Sequence, residues 1–263
     1  MKRGWAWAAV AAVLAAGVAV YYWRAAAPAD PAPVAAVPPA PAAPPATTGP
    51  PPIAYPVPAA PPGAPPLPAL DQSDGVAREA AVALFGRDAF ARIFRPDALV
   101  RHFVVTVDNL PRRTAAVRLL PVQPVPGAFV VQGRDGDATI AADNALRYRP
   151  YVAVLEAADA KRLVAAYVTL YPLFQAAYVE LGYPNGWFND RLVQAIDDLL
   201  AAPEVAAPRV VQPKVLWAFA DADLETRSAG QKIMLRMGPA NAARVKAQLR
   251  AIRAELTTGA APR

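Results

Sequence analysis

DAKRLVAAYVTLYPLFQAAYVELG, residues 159–182, decides the fold. Its large apolar side chains Leu163, Tyr167, Leu170, Phe174, Tyr178 and Leu181 are spaced 4, 3, 4, 4 and 3 residues apart. That is the period of a helix with one face turned to a core, not the alternation of a strand. Asp159 stands where an N-cap belongs, and Gly182 supplies the stop. Pro172 lies inside and predicts a kink. A stripe this long has to be covered by other helices.

Working toward the C-terminus, Tyr183-Pro-Asn-Gly186 reads as a turn. Phe188, Leu192, Ile196 and Leu199 then define a second amphipathic helix. Residues 203–208 read as a loop. Residues 210–219 are ambiguous, with Pro213 a candidate helix start. Ser228 is an N-cap before a helix that Gly238 ends, and Pro239 opens a last helix striped by Val245, Leu249, Ile252 and Leu256. Toward the N-terminus, Asp143 caps a helix interrupted by Pro150. Asp71-Gln-Ser73 and Asp88 cap two more, and Pro96 suits the first turn of a third, carrying Val100, Phe103, Val104 and Val107. HFVVTV within it is β-branched enough to leave a strand as the alternative. Between residues 114 and 140, AAVRLL and AFVVQ are short β-type runs. Gly133-Arg-Asp-Gly136 is a turn signal from which ATI returns. The fold class is therefore mainly α. It comprises an N-terminal transmembrane helix plus a domain of about seven or eight helices with a small antiparallel β-hairpin element.

The span is GWAWAAVAAVLAAGVAVYYW, residues 4–23, which carries no charge. As a helix it is about 30 Å long, the thickness of a bilayer's hydrocarbon core. Trp5 and Trp7 mark one interface; Tyr21, Tyr22 and Trp23 mark the other. Lys2 and Arg3 precede it and keep the N-terminus cytoplasmic. The rival reading is a signal peptide cut after Ala25-Ala26-Ala27. The apolar run is longer than a signal core, and Pro28 would follow the scissile bond, which favours an uncleaved anchor. The localisation that follows is a single-pass protein of the bacterial inner membrane with its C-terminal domain in the periplasm.

Eighteen prolines lie between Pro28 and Pro68. They deny the chain donors and fix φ, so this segment reads as an extended, semi-rigid spacer. A docking strip for a proline-binding groove is the alternative. The organisation is thus a cytoplasmic tip (1–3), the span (4–23), a Pro/Ala linker (24–69), a mostly helical extracytoplasmic domain (70–258) and a tail (259–263). Residues after Ala69 hold 24 of the 27 Lys and Arg and 20 of the 21 Asp and Glu. A surplus of four is no nucleic-acid footprint. With no cysteine, disulfides and thiolate metal sites are excluded.

Several blocks look like one family in order: FVVTVDNLP (103–111), YRPY (148–151), GYPNGWFND (182–190), VQPK (211–214) and SAGQKIMLRMG (228–238). They resemble the bacterial family called domain of unknown function 3014, over nearly all of residues 70–256. The family's members resemble this chain in layout, with an N-terminal membrane helix and a Pro-rich tether. The resemblance carries no activity and so no catalytic residues.

No residue set forms a coherent catalytic constellation. His102, the single histidine, falls opposite the apolar stripe and reads as a surface imidazole. Ser228 and Lys232 are four apart where a Ser–Lys signature needs three; they read as a cap and a solvated lysine. Tyr167, Tyr171, Phe174 and Tyr178 form an aromatic stripe that belongs to the core, with Arg147 or Arg149 as partners for the phenols. Glu180 and Asp190 are the weak catalytic candidates. Two carboxyls flanking a sugar, with Tyr183 and Trp187 to stack on it, would make the chain a peptidoglycan-binding or glycan-cleaving protein. The leading binding candidates are Tyr183, Asn185, Trp187 and Asn189, where polar and aromatic residues concentrate between two helices. Lys246, Arg250 and Arg253 add a basic ridge on the last helix. No metal and no cofactor is called for. The expectation is a non-catalytic envelope interaction module with a protein or peptidoglycan partner.

Overall fold

The computed structural model describes residues 51–58, 63, 66–134 and 136–258. The expected transmembrane helix at residues 4–23 and the tail at 259–263 lie outside the described residues. Among the described residues no helix is long and apolar enough to cross a membrane.

After a 3-10 turn at Leu70–Gln72, nine α-helices follow among the described residues. They are α1 (Asp74–Phe85), α2 (Arg87–Ile93), α3 (Leu99–Asn109), α4 (Arg149–Ala157), α5 (Ala160–Glu180), α6 (Phe188–Leu200), α7 (Ala222–Glu225), α8 (Ala229–Arg236) and α9 (Pro239–Thr257). The stripe of residues 159–182 does form the longest of them. Asp159 caps α5 by accepting from the Arg162 amide at 2.9 Å, a contribution of about 1 kcal/mol. Gly182, at φ 112°, adopts the backbone that lets the chain leave that helix. HFVVTV is helical: it lies within α3, and its Val104 and Val107 are buried. The expected start at Pro96 moves to Leu99. The cap there is borrowed from another helix, because Asp74 accepts from the Ala98 and Leu99 amides at 2.9 and 3.0 Å.

The main core gathers α1, α3, α5 and α6. Phe188 sits at its centre, fully buried, with the rings of Phe103, Tyr167, Phe174 and Tyr178 around it. Burying a ring of this size contributes about 2–3 kcal/mol.

The expected hairpin is present: β1 (Val131–Gln132) pairs antiparallel with β2 (Thr139–Ile140). A second one replaces the helix that Pro213 suggested. β3 (Val210–Val211) pairs with β4 (Ala218–Phe219), so that Pro213 falls in the connecting loop, where it withholds no ladder donor. A bridge between Thr139 and Arg209 joins the two hairpins. Together they bury Ile140, Val210 and Phe219 against Leu224 and Leu235.

α8 closely approaches Leu110 and Leu199 at Gly230. Its amide donates to the Leu110 carbonyl at 2.9 Å. An added Cβ would lie 3.1 Å from that same oxygen and 2.7 Å from Leu199 Cδ2. The leucine tip can swing aside, but the carbonyl cannot retreat without stretching its bond to Gly230. Gly230→Ala should therefore destabilise by about 1–2 kcal/mol, despite the better helix propensity of alanine. A urea titration giving equal or higher stability would refute this.

A cavity of about 370 Å³ opens between α1, α3, α5, α6 and α9, with almost wholly apolar walls. Protein interiors rarely keep voids larger than a water. A sealed, empty one of this size would cost about 9 kcal/mol, at roughly 24 cal/mol per Å³. That rivals the whole stability of a domain, about 5–15 kcal/mol.

Candidate functional site

Phe188 opens α6, and the residues around it form a cleft. Gln175, reaching from α5, fixes the loop that leads in. Its amide donates to the Gly186 carbonyl at 2.8 Å and accepts from the Phe188 amide at 2.9 Å. Tyr171 donates to the same side-chain oxygen at 3.0 Å. Tyr167 donates to Asn189 Oδ1 at 3.0 Å, which turns the Asn189 amide outward as a donor. Burial raises the Tyr167 phenol well above the ordinary tyrosine range and the Tyr171 phenol in the same direction, so both remain protonated donors at any physiological pH.

Four main-chain groups of the linker occupy this cleft. Trp187 Nε1 donates to the Pro51 carbonyl at 2.7 Å. The Asp190 carboxylate accepts from the Ala54 and Tyr55 amides at 2.9 and 2.8 Å, one on each oxygen. Asn189, 0% exposed, donates Nδ2 to the Tyr55 carbonyl at 2.7 Å. Asp190 lies in the first turn of α6, where the helix favours a negative charge. From the far wall, Arg253 pairs with Asp197. That hydrogen bond raises its guanidinium further above the ordinary arginine value, and the Tyr55 phenol adds in the same direction. The bonds from Trp187, Asn189 and Asp190 all go to backbone atoms, which is how extended peptides are held.

The remaining expected residues are placed as follows. Tyr183 turns under the loop toward the buried Asp108, where Arg112 and Arg191 also bind. Asn185 is exposed at the tip of the turn. Glu180 pairs on the surface with Arg101 at 3.0 Å, while Asp190 holds the linker, so the two carboxylates serve separate partners. The basic ridge does not form as expected. Lys246 is only 5% exposed and donates to the Ala202 carbonyl at 2.7 Å, Arg253 is held by Asp197, and Arg250 alone stands in solvent. A long methylene stem lets a lysine at the edge of a stripe turn inward once a carbonyl awaits it.

Ser228 caps α8 by accepting from Gln231, as its position suggested. Lys232 does not face water; it pairs with Glu225 at 3.1 Å. Tyr167 and Tyr171 of the stripe find their partners in Asn189 and Gln175. Arg147 instead binds the carbonyls of Pro126 and Gly127. His102 is half-buried, with its Nδ1 buried and without a partner among the described residues.

Sequence reasoning missed Gln175 and did not foresee that the linker's residues 51–55 would fill the chain's own cleft. A signal for the second existed: Ile53 is the only isoleucine and Tyr55 the only aromatic of residues 24–69. A pure spacer has no use for either.

The family described as "Protein of unknown function (DUF3014)" matches residues 99–253. No curated protein and no solved structure matches the chain. The matched span includes every cleft residue on α5, α6 and α9, and it leaves out the linker segment that fills the cleft.

Proposed function

This chain belongs to the DUF3014 family, and from that premise we propose that it is a non-catalytic interaction module of the bacterial envelope. In this reading residues 4–23 anchor it in the inner membrane, the linker carries its domain into the periplasm, and the cleft on α6 receives an extended, proline-rich segment of a partner protein. One observation carries the reading: Trp187, Asn189 and Asp190 together satisfy four main-chain groups of residues 51–55. Side chains that grip backbone atoms accept many sequences. Proline supplies the rest, because it presents a polyproline-type chain that is already extended and loses little entropy on binding. Charge-assisted bonds to a carboxylate are the stronger kind, which makes Asp190 the anchor.

The test uses the full chain with residues 51–55 replaced by Gly and Ser, so that the cleft is vacated. A labelled peptide PPIAYPVP, copying residues 51–58, is then titrated by fluorescence anisotropy. Saturable binding is expected, weakened about tenfold by Trp187→Ala and more by Asp190→Ala. The unaltered chain should bind the peptide less well than the vacated one. Absence of saturable binding to the vacated chain removes the cleft from consideration.

A further inference from the structure

The cavity between α1, α3, α5, α6 and α9 lies behind the cleft, with Tyr167 lining it and holding Asn189 on the other side. Its walls follow α3 from Leu99 to Leu110 and α5 from Leu163 to Phe174. Twelve residues of helix span about 16 Å, so the space is long. Five alanines, Ala77, Ala80, Ala81, Ala166 and Ala195, keep it open where larger side chains would have closed it. Its volume of about 370 Å³ falls in the range of small-molecule sites, roughly 300–1,000 Å³. Apolar cavities of less than half this volume stay dry and take up apolar molecules instead.

At Leu84 and Phe85 the cavity abuts a second hollow of about 510 Å³. This one is more polar. Arg92 is the one charged residue on its wall, and Tyr151 stands beside it. The Arg92 Nε donates to the Asp88 carbonyl at 3.3 Å, leaving the outer nitrogens of an exposed guanidinium facing solvent. A long apolar cavity beside a hollow with one cation has the polarity of a single-tailed amphiphile with an anionic head.

We propose that the domain binds a fatty acid, with its hydrocarbon chain in the apolar cavity and its carboxylate in the adjoining hollow at Arg92. Tyr167 is the one side chain on the walls with a polar atom, and its hydroxyl is already bonded to Asn189, while the cation lies in the adjoining hollow. A carboxylate suits the planar guanidinium fork of Arg92.

The test places the full-length chain in detergent micelles with a diazirine-bearing fatty acid, irradiates, and maps the adducts by mass spectrometry. Adducts are expected on α1 and α5 near Leu84, Phe85, Leu163 and Val164, and unlabelled palmitate should compete them away. Arg92→Glu should weaken labelling about tenfold while leaving labelling by the matching fatty alcohol unchanged. Ala81→Phe, and separately Ala166→Leu, should abolish labelling while holding or raising the melting temperature. Adducts confined to residues 4–23, or labelling that survives both filling variants, would overturn the proposal. Stronger competition by a lysophospholipid than by palmitate would overturn the carboxylate assignment.

Discussion

Asp108→Ala is expected to lower stability by about 3 kcal/mol, at the low end of the roughly 3–5 seen when a buried ion pair loses one partner. Asp108 is 5% exposed and faces two arginines. Arg191 Nε lies 3.1 Å away with its side chain 14% exposed, and Arg112 Nη2 lies 2.9 Å away with its side chain 48% exposed. The Tyr183 hydroxyl donates to the same carboxylate at 3.4 Å. Removing it strands the Arg191 cation inside, while Arg112 can turn to water, which sets the lower figure. In a domain of this size the melting temperature should fall about 6–12 °C. Asp108→Asn keeps the shape without the charge and should fall between. Pairing Asp108→Leu with Arg191→Met should recover most of the loss, since no buried unpaired charge then remains. Thermal unfolding of these variants, monitored by circular dichroism, decides the matter. A loss below about 1 kcal/mol for Asp108→Ala would show that the site is solvated.

Asn144→Leu should cost about 3–4 kcal/mol, although the two side chains are similar in size. Asn144 is 0% exposed. Its oxygen accepts from the Val130 amide at 3.1 Å and from Arg147 Nη1 at 2.8 Å, and its nitrogen donates to the Arg236 carbonyl at 2.8 Å. One side chain thus ties the first hairpin to the end of α8. Leucine leaves a buried amide and a buried carbonyl unmet, each at about 1–3 kcal/mol. Asn144→Asp retains the acceptor but turns an oxygen toward the Arg236 carbonyl, and should lose about half as much. Urea midpoints should shift at unchanged slope. Trp217, which packs near Phe129 in this corner, offers a fluorescence probe of local loosening. An unchanged midpoint for Asn144→Leu would mean that water replaces all three bonds.

The helices were legible because each carries its own signal. The stripe of α5, the Asp159 cap, the Ser228 cap and the stops at Gly182 and Gly238 are all local events. β3 and β4 were not legible. Two residues each, flanked by Pro208 and Pro213, they exist because Phe219 and Val210 fill a corner made by residues distant in sequence. The start of α3 was misplaced for a similar reason: its cap is Asp74, on another helix. The cleft was half legible. Tyr183, Trp187 and Asn189 stood out as polar and aromatic residues in one turn. That Asn189 would be buried and Tyr183 turned inward depends on Gln175 and Asp108, which no local pattern links to them. Composition alone did not place residues 51–55 of the linker on the domain. The linker's prolines do exclude helix and sheet, yet an extended chain is what a row of outward donors and acceptors is built to hold.

The docked residues 51–55 have a consequence for competition. Pro58 and Pro66 are eight positions apart, so the segment stays within a few nanometres of its cleft after every release. Short tethers of this kind hold a ligand at a local concentration on the order of millimolar. A free peptide of equal intrinsic affinity gains half the clefts only when it too reaches about that concentration. A partner present in trace amounts does not compete unless it arrives in many linked copies or makes contacts the tether lacks. In the proposed function, the cleft would then respond to local crowding of a partner segment rather than to its mere presence.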